Sequence, residues 1–275
     1  MAHMSGGVMA EGVQESTVFG LGSMTAACRL DPTLQAQLEL ARQVQLSLLP
    51  RSRCCLSDWE IALSYEPAGF VSGDYVDLIP AGEDAFYFAL GDVSGKGVAA
   101  SMLMSHLHAT LRTLLPSTGA IEDVVRLASR TFCESALPAH FATLVLGKAD
   151  RSGAVELVNA GHTPVLLLDG DDVEMIAAAS LPLGLFCSTD FSSVKRSVSA
   201  ESVLFLSSDG ITEATDGGEK EFALTGLADV LYQSRKLRPS KIVETVEGAV
   251  ARYTGGRPLT DDRTMLALRW SPKGL

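Results

Sequence analysis

From Trp59 onward the chain is written in short apolar runs that suit strands: "WEIALSYEP", "FYFALGD", "FATLVLGKAD", "AVELVNAG", "PVLLL", "SVLFLSSDG" and "TMLALRW". Several of these follow one another across short turns. Helix-like blocks interrupt them in pairs rather than after every strand. Residues 97–115 carry Leu103, Leu107 and Leu111 at four-residue spacing, and 120–136 follow; later come 223–235 and "PSKIVETVEGAVARY", which opens at Pro239 and closes near Gly255. The pattern predicts antiparallel sheets in an α+β arrangement; a doubly wound parallel sheet fits less well.

Ahead of the strands, Asp31-Pro32 supplies an N-cap and a proline at the first helical position, and "TLQAQLELARQVQLSLLP" runs to Pro50 with few breakers. The spacing predicts a helix over 31–50. Leu34, Leu38, Ala41 and Leu48 form one stripe, interrupted by Gln45; Leu40 and Val44 form a second. One stripe packing on the domain is the plain reading, and the other pairing with a partner helix is the sharper one. Residues 1–30 begin "MAHM", which reads as the residue of an expression tag, and continue as a Gly/Ser/Ala-rich lead to about Cys28. They are expected to be tag and disordered lead.

No run reaches the roughly 18 apolar residues of a membrane span, and the start lacks a basic segment leading into an apolar one, so a cytoplasmic protein without membrane contact is expected. The net charge is −11, from 33 acids against 22 bases, which argues against nucleic acid as a partner. Cys28, Cys54, Cys55, Cys133 and Cys187 are an odd set without CxxC spacing, so neither a disulfide framework nor a zinc site is indicated and buried free thiols are expected.

Four acidic signals sit where apolar runs give way to turns: "VSGDYVDL" with Asp74 and Asp77, "LGDVSGKG" with Asp92, "LSSDGITEA" with Asp209, and "LTDDRTM" with Asp261 and Asp262. Each alone has an ordinary explanation as a turn, a cap or solvated loop charge. Together they differ, because acids attached to β-like runs are costly to bury unpaired. Clustered oxygen donors with no nearby His/Cys set suit Mg²⁺ or Mn²⁺ far better than zinc. Two such ions roughly 3.5–4 Å apart can ready a water for in-line displacement at a phosphoester. Rival readings of "GDVSGKGVAA" fare worse. A P-loop needs glycine where Leu90 stands and Ser or Thr where Gly97 stands. The relaxed dinucleotide pattern at Gly95–Ala100 is followed by "PSTGAIED", which opens a helix instead of ending a second strand.

The motifs, in order, resemble the metal-dependent serine/threonine protein phosphatases of the protein phosphatase 2C superfamily, in the bacterial SpoIIE/RsbU-like branch. The likeness runs from "LARQVQLSLLP" through "SGDYVDL", "GDVSGKGVAASMLMS", "FATLVLG", "VNAGHTPVLLL", "LPLGL" and "LFLSSDGITEA" to "DDRTMLALRW". The resemblance implies a four-layer α-β-β-α sandwich of two antiparallel sheets flanked by helix pairs, with a linker or regulatory helix at 31–50 and a catalytic domain at 51–275. It also implies two Mn²⁺ or Mg²⁺ ions on Asp74, Asp92, the carbonyl of Val93, Asp209 and Asp261, with Asp74 and Asp92 as the catalytic acids. Asp262 is the less favoured of its pair, and Asp77 is read as structural or as supporting a ligand. The implied activity is direct hydrolysis of a phosphoserine or phosphothreonine protein by activated water. The implied partners are a phosphorylated anti-sigma-factor antagonist and a second copy bound through residues 31–50.

Ser72 stands where many relatives have glycine and is expected to be tolerated if its φ is negative. Ser94 stands where the eukaryotic enzymes carry a histidine proposed as general acid. His162 in "NAGHTP" is expected to be structural, and His140 a strand-end residue. Lys96 reads as a solvated loop lysine, with contact to substrate phosphate as the alternative. The competing function is a regulatory module that keeps the fold and binds a phosphoprotein or partner helix without turnover. A missing metal acid would favour it, and all four positions are filled.

Overall fold

A computed structural model describes residues 31–136 and 139–272. The lead over residues 1–30 lies outside the described residues. In chain order the elements are α1 (Pro32–Leu48), β1 (Arg53–Leu56), β2 (Trp59–Glu66), β3 (Asp74–Pro80), β4 (Ala85–Val93), α2 (Val98–Leu114), α3 (Ile121–Ser135), β5 (Ala142–Asp150), β6 (Ala154–Ala160), β7 (Val165–Asp169), β8 (Asp172–Ile176), β9 (Val194–Ser197), β10 (Val203–Ser207), the single turn α4 (Asp209–Thr212), α5 (Ala223–Ser234), α6 (Pro239–Tyr253) and β11 (Arg263–Trp270).

The strands form two antiparallel sheets, one in the order β1-β2-β11-β10-β7-β8 and the other β3-β4-β5-β6-β9. Alternation along each strand sends one set of side chains between the sheets and the other toward helices. Trp59, Phe86, Phe88, Leu90, Leu204 and Leu268 belong to the inter-sheet core. On the outer face of the five-stranded sheet, Met104, Leu107 and Leu111 of α2 and Val125 and Phe132 of α3 pack over Tyr75 and Leu144. On the outer face of the six-stranded sheet, Leu227 and Leu231 of α5 and Ile242 and Val246 of α6 cover Phe205 and Met265. The architecture is the expected α-β-β-α sandwich. Among the described residues no helix is long and apolar enough to cross a membrane.

In α1 the two apolar stripes differ: Leu38 and Leu48 are half-buried, Leu40 and Val44 are 62% and 63% exposed, and the residue that is fully buried is Gln45, which interrupts the first stripe. Its amide donates from Nε2 to the Ser72 carbonyl at 2.8 Å and accepts the Ser72 N–H on Oε1 at 3.0 Å, which satisfies a buried backbone pair that an aliphatic side chain would leave unmet. The helix start is as expected, with Asp31 Oδ1 accepting the N–H of Thr33 at 2.8 Å.

The cysteines are not buried free thiols. Cys133 of α3 is bonded to Cys187 with Cα atoms 5.4 Å apart, while Cys54 is half-buried, Cys55 is exposed, and Cys28 lies outside the described residues. The pairing follows from tertiary packing, because Leu183 bridges to Ala142 at the start of β5 and Gly184 lies against Phe132. That brings the loop after β8 onto α3.

Candidate functional site

The β3–β4 ladder places Asp74 directly opposite Asp92, at the end of the sheet where β4 leaves for α2. From the other sheet come two further acidic segments. Ser208 follows β10 and precedes Asp209, and Asp261-Asp262 leads into β11; the Ser208 N–H donates to the Thr264 carbonyl at 2.9 Å and holds the two together. Two glycines permit the approach. A Cβ on Gly73 would stand 2.9 Å from the Val93 carbonyl oxygen and 3.3 Å from Asp92 Oδ1, and one on Gly210 would stand 2.1 Å from the Asp262 carbonyl oxygen. The carbonyl of Val93 and a carboxylate oxygen of Asp92 thus face the same small space.

The carboxylates sit in strained electrostatic surroundings. Asp74 is 1% exposed, and its Oδ2 accepts from the Ser208 hydroxyl at 2.9 Å and the Thr264 hydroxyl at 2.5 Å. Burial first, and then the charge of Asp92, push its pKa well above the usual carboxylate range. Asp92 is pushed up to about 7, by burial and then by Asp209, Asp261 and Asp262. Asp209 is raised by burial and by Asp261. Mutual repulsion of this kind is what a bound dication relieves. Oxygen-only donors without histidine or cysteine fit Mg²⁺ or Mn²⁺. Among the described residues no three His, Cys, Asp or Glu side chains close around a single point.

The two neighbouring acids of the last loop are bound differently. Asp262 spends both oxygens on backbone, accepting from Ala68 N–H at 2.7 Å and Gly73 N–H at 2.9 Å. Asp261 accepts the Asp262 N–H on Oδ1 and pairs with Lys96 Nζ through Oδ2 at 2.8 Å, so Lys96 is not simply solvated. Asp77 lies apart from the cluster. It faces α2, where Arg112 donates to both its oxygens, from Nε at 2.8 Å and Nη2 at 2.7 Å, with the Leu78 N–H adding a third bond.

The remaining expected residues occupy supporting positions. Ser72 has no left-handed backbone, is fully buried, and accepts the Asp74 N–H on its hydroxyl at 3.0 Å. Ser94 exchanges two bonds of 2.9 Å with the backbone of Phe141, next to His140 ahead of β5. His162 is buried with its pKa lowered to about 4 by burial, and its Nδ1 meets the Thr143 hydroxyl at 2.8 Å. The residues sequence reasoning missed are Ser208, Thr264, Gln45 and Arg112. The first two stand inside quoted motifs, where a hydroxyl beside a strand-end acid was the available signal.

A two-sheet sandwich flanked by helix pairs, with acids from both sheets meeting at one end, is the architecture of PP2C-type phosphatase domains. Residues 82–271 match the family model described as Stage II sporulation protein E (SpoIIE), and the chain belongs to that family. Protein IcfG of Synechocystis is 28% identical over 86% of this chain, which spans 42% of IcfG's own length. Phosphoserine phosphatase RsbU of Bacillus subtilis is 24% identical over 86% of the chain and 70% of its own. Among solved structures, the SiaA-PP2C domain of Pseudomonas aeruginosa superposes with a TM-score of 0.76 at 19% identity, covering 87% of this chain and 98% of that one. The catalytic domain of the serine/threonine phosphatase PstP, solved with two manganese ions, superposes at 0.57 with 16% identity, covering 77% of this chain and 97% of its own.

Proposed function

We propose that the chain is a metal-dependent phosphoserine/phosphothreonine protein phosphatase acting on a phosphorylated signalling protein of the anti-sigma-factor-antagonist type. The observation that carries this reading is the pairing of Asp74 with Asp92 across β3 and β4, two acids whose charges are disfavoured by burial and by each other unless a cation stands between them. Asp74, Asp92, Asp209, Asp261 and the Val93 carbonyl would hold Mn²⁺ or Mg²⁺. When bound, such ions supply Lewis acidity and a template for in-line displacement at phosphorus.

The chain's own residues have separate tasks. Ser208 and Thr264 fix one oxygen of Asp74 and leave the other for ligation. Asp262 braces the Ala68–Gly73 segment against the last loop and is thereby the weaker candidate of its pair. Neither Ser94, committed to Phe141, nor His162, buried and neutral, is free to protonate the leaving oxygen. The phosphatase name carried by RsbU and the two manganese ions of PstP support the assignment. The exposed Leu34, Leu40, Val44 and Leu46 of α1 support pairing of two copies through residues 31–50.

The test is hydrolysis of p-nitrophenyl phosphate and a phosphoserine peptide with added Mn²⁺. Activity is expected to fall more than about 100-fold in Asp92→Asn, beyond the loss typical of an outer partner of a metal ligand, while circular dichroism stays unchanged. No turnover with any divalent ion would instead assign the chain as a binding module that keeps the fold.

A further inference from the structure

We propose that Lys96 is an exchangeable counter-ion of the acidic cluster, held by Asp261 until a metal takes that carboxylate and then presented to the phosphoryl group of the substrate. This rests on the phosphatase reading above. Lys96 Nζ lies 2.8 Å from Asp261 Oδ2 and donates to the Thr260 carbonyl at 2.7 Å. Among the described residues this is the one ion pair made by Asp74, Asp92, Asp209, Asp261 or Asp262.

Three features make the pair one that can change hands. The backbone presents the lysine at the tip of a turn, between Gly95 at φ +96° and Gly97 at φ +74°, conformations that side-chain-bearing residues rarely adopt. The tip is anchored on both sides, by the bonds between Ser94 and Phe141 and by the Ser101 N–H donating to the Gly97 carbonyl, so the side chain moves on a fixed base. Finally, the ammonium makes single-point contacts and the lysine side chain is 64% exposed, which leaves it flexible and hydrated. An exposed monodentate pair of this kind is weak and yields to a dication on the same oxygen.

What the lysine does once released follows from its place. It lines a cleft of about 420 Å³ whose wall includes Asp262 of the acidic cluster beside the apolar Phe70, Val71 and Leu259. A phosphoester approaching those acids brings negative charge to a place crowded with carboxylates, where Lys96 is the one cation paired with the acidic cluster among the described residues. A free ammonium there neutralises the entering phosphoryl oxygens by a charge-assisted hydrogen bond.

The inference predicts effects of opposite sign from one substitution. In Lys96→Gln, Mn²⁺ binding, followed by electron paramagnetic resonance of the free ion and by calorimetry, should tighten by about threefold to fivefold, the loss of one weak competing pair. Inhibition of p-nitrophenyl phosphate hydrolysis by inorganic phosphate at saturating Mn²⁺ should weaken by about tenfold, the loss of one hydrogen bond to a charged group. KM should rise with little change in kcat, and Lys96→Arg should return the phosphate effect toward wild type. A lysine that merely braced the loop would move both affinities in the same direction, and that outcome, or no change in either, overturns the inference. Wild-type protein that binds no Mn²⁺ would overturn the phosphatase reading and this inference with it, whereas wild-type binding unaltered in Lys96→Gln overturns this inference alone.

Discussion

Asp74 and Asp77 lie three residues apart on β3, both essentially sealed from solvent, and they have opposite fates. The odd separation puts them on opposite faces of the sheet. Asp77 faces α2 and meets a resident cation, the forked guanidinium of Arg112, with further donors from Leu78 N–H and the Tyr75 hydroxyl. Asp74 faces the other sheet and meets two hydroxyls and another acid. One carboxylate is complete within the chain; the other is left short of positive charge. Burial alone therefore does not tell the two acids apart, whereas the groups that face each of them do.

The comparison breaks most visibly at Arg112. Arg112→Met should lower unfolding stability by about 3 kcal/mol, since it strands a buried charge, and adding Asp77→Asn should recover part of the loss. Urea titrations that found the single variant as stable as wild type would remove Asp77 from the structural class. On the other face of the strand, the pH dependence should run the other way from that of a well-paired acid. Asp92 holds its proton up to about pH 7 in the fold and only to about 3.9 when unfolded. Its contribution to metal-free stability is therefore fully present below about pH 4 and is lost as pH rises through 7, by at most about 1.4 kcal/mol per pH unit. In Asp92→Asn that fall should flatten, and in wild type Mn²⁺ should offset it; parallel stability–pH curves for the two proteins would contradict the assignment. The smallest effect belongs to a pair with neither burial nor function. Arg130 and Glu134, one turn apart on α3 and both mostly exposed, should tolerate Arg130→Ala within about 0.5 kcal/mol in the same titration.

Much of this could be read before any coordinates. The helix at α1 was announced by its aspartate cap and proline, and the central strands by their apolar runs, because those signals are local. β1, β8 and β9 escaped notice: they are four or five residues long, lie at sheet edges or beside them, and carry charged residues such as Lys195 and Arg196 of β9. β3 read as a turn because two acids interrupt it, and only the register with β4 explains them. Gln45 looked like a break in an apolar stripe, since nothing local says that its amide will find Ser72, 27 residues away. Cys133 and Cys187 are likewise 54 positions apart with no motif between them. Among the acids, no local signal separates Asp261 from Asp262; only the fold has Asp262 accepting from the backbone of Ala68 and Gly73 and Asp261 pairing with Lys96.

The strand written last among these elements is not placed last in space. β11 lies between β2 and β10, in the middle of its sheet, and Asp261 and Asp262 immediately precede it. During synthesis the nascent chain therefore carries two unjoined halves of that sheet until residues through Trp270 have cleared the ribosome. A truncated product would keep Asp74 opposite Asp92 on β3 and β4 but would lack the strand that sets the Asp261-Asp262 loop beside Ser208.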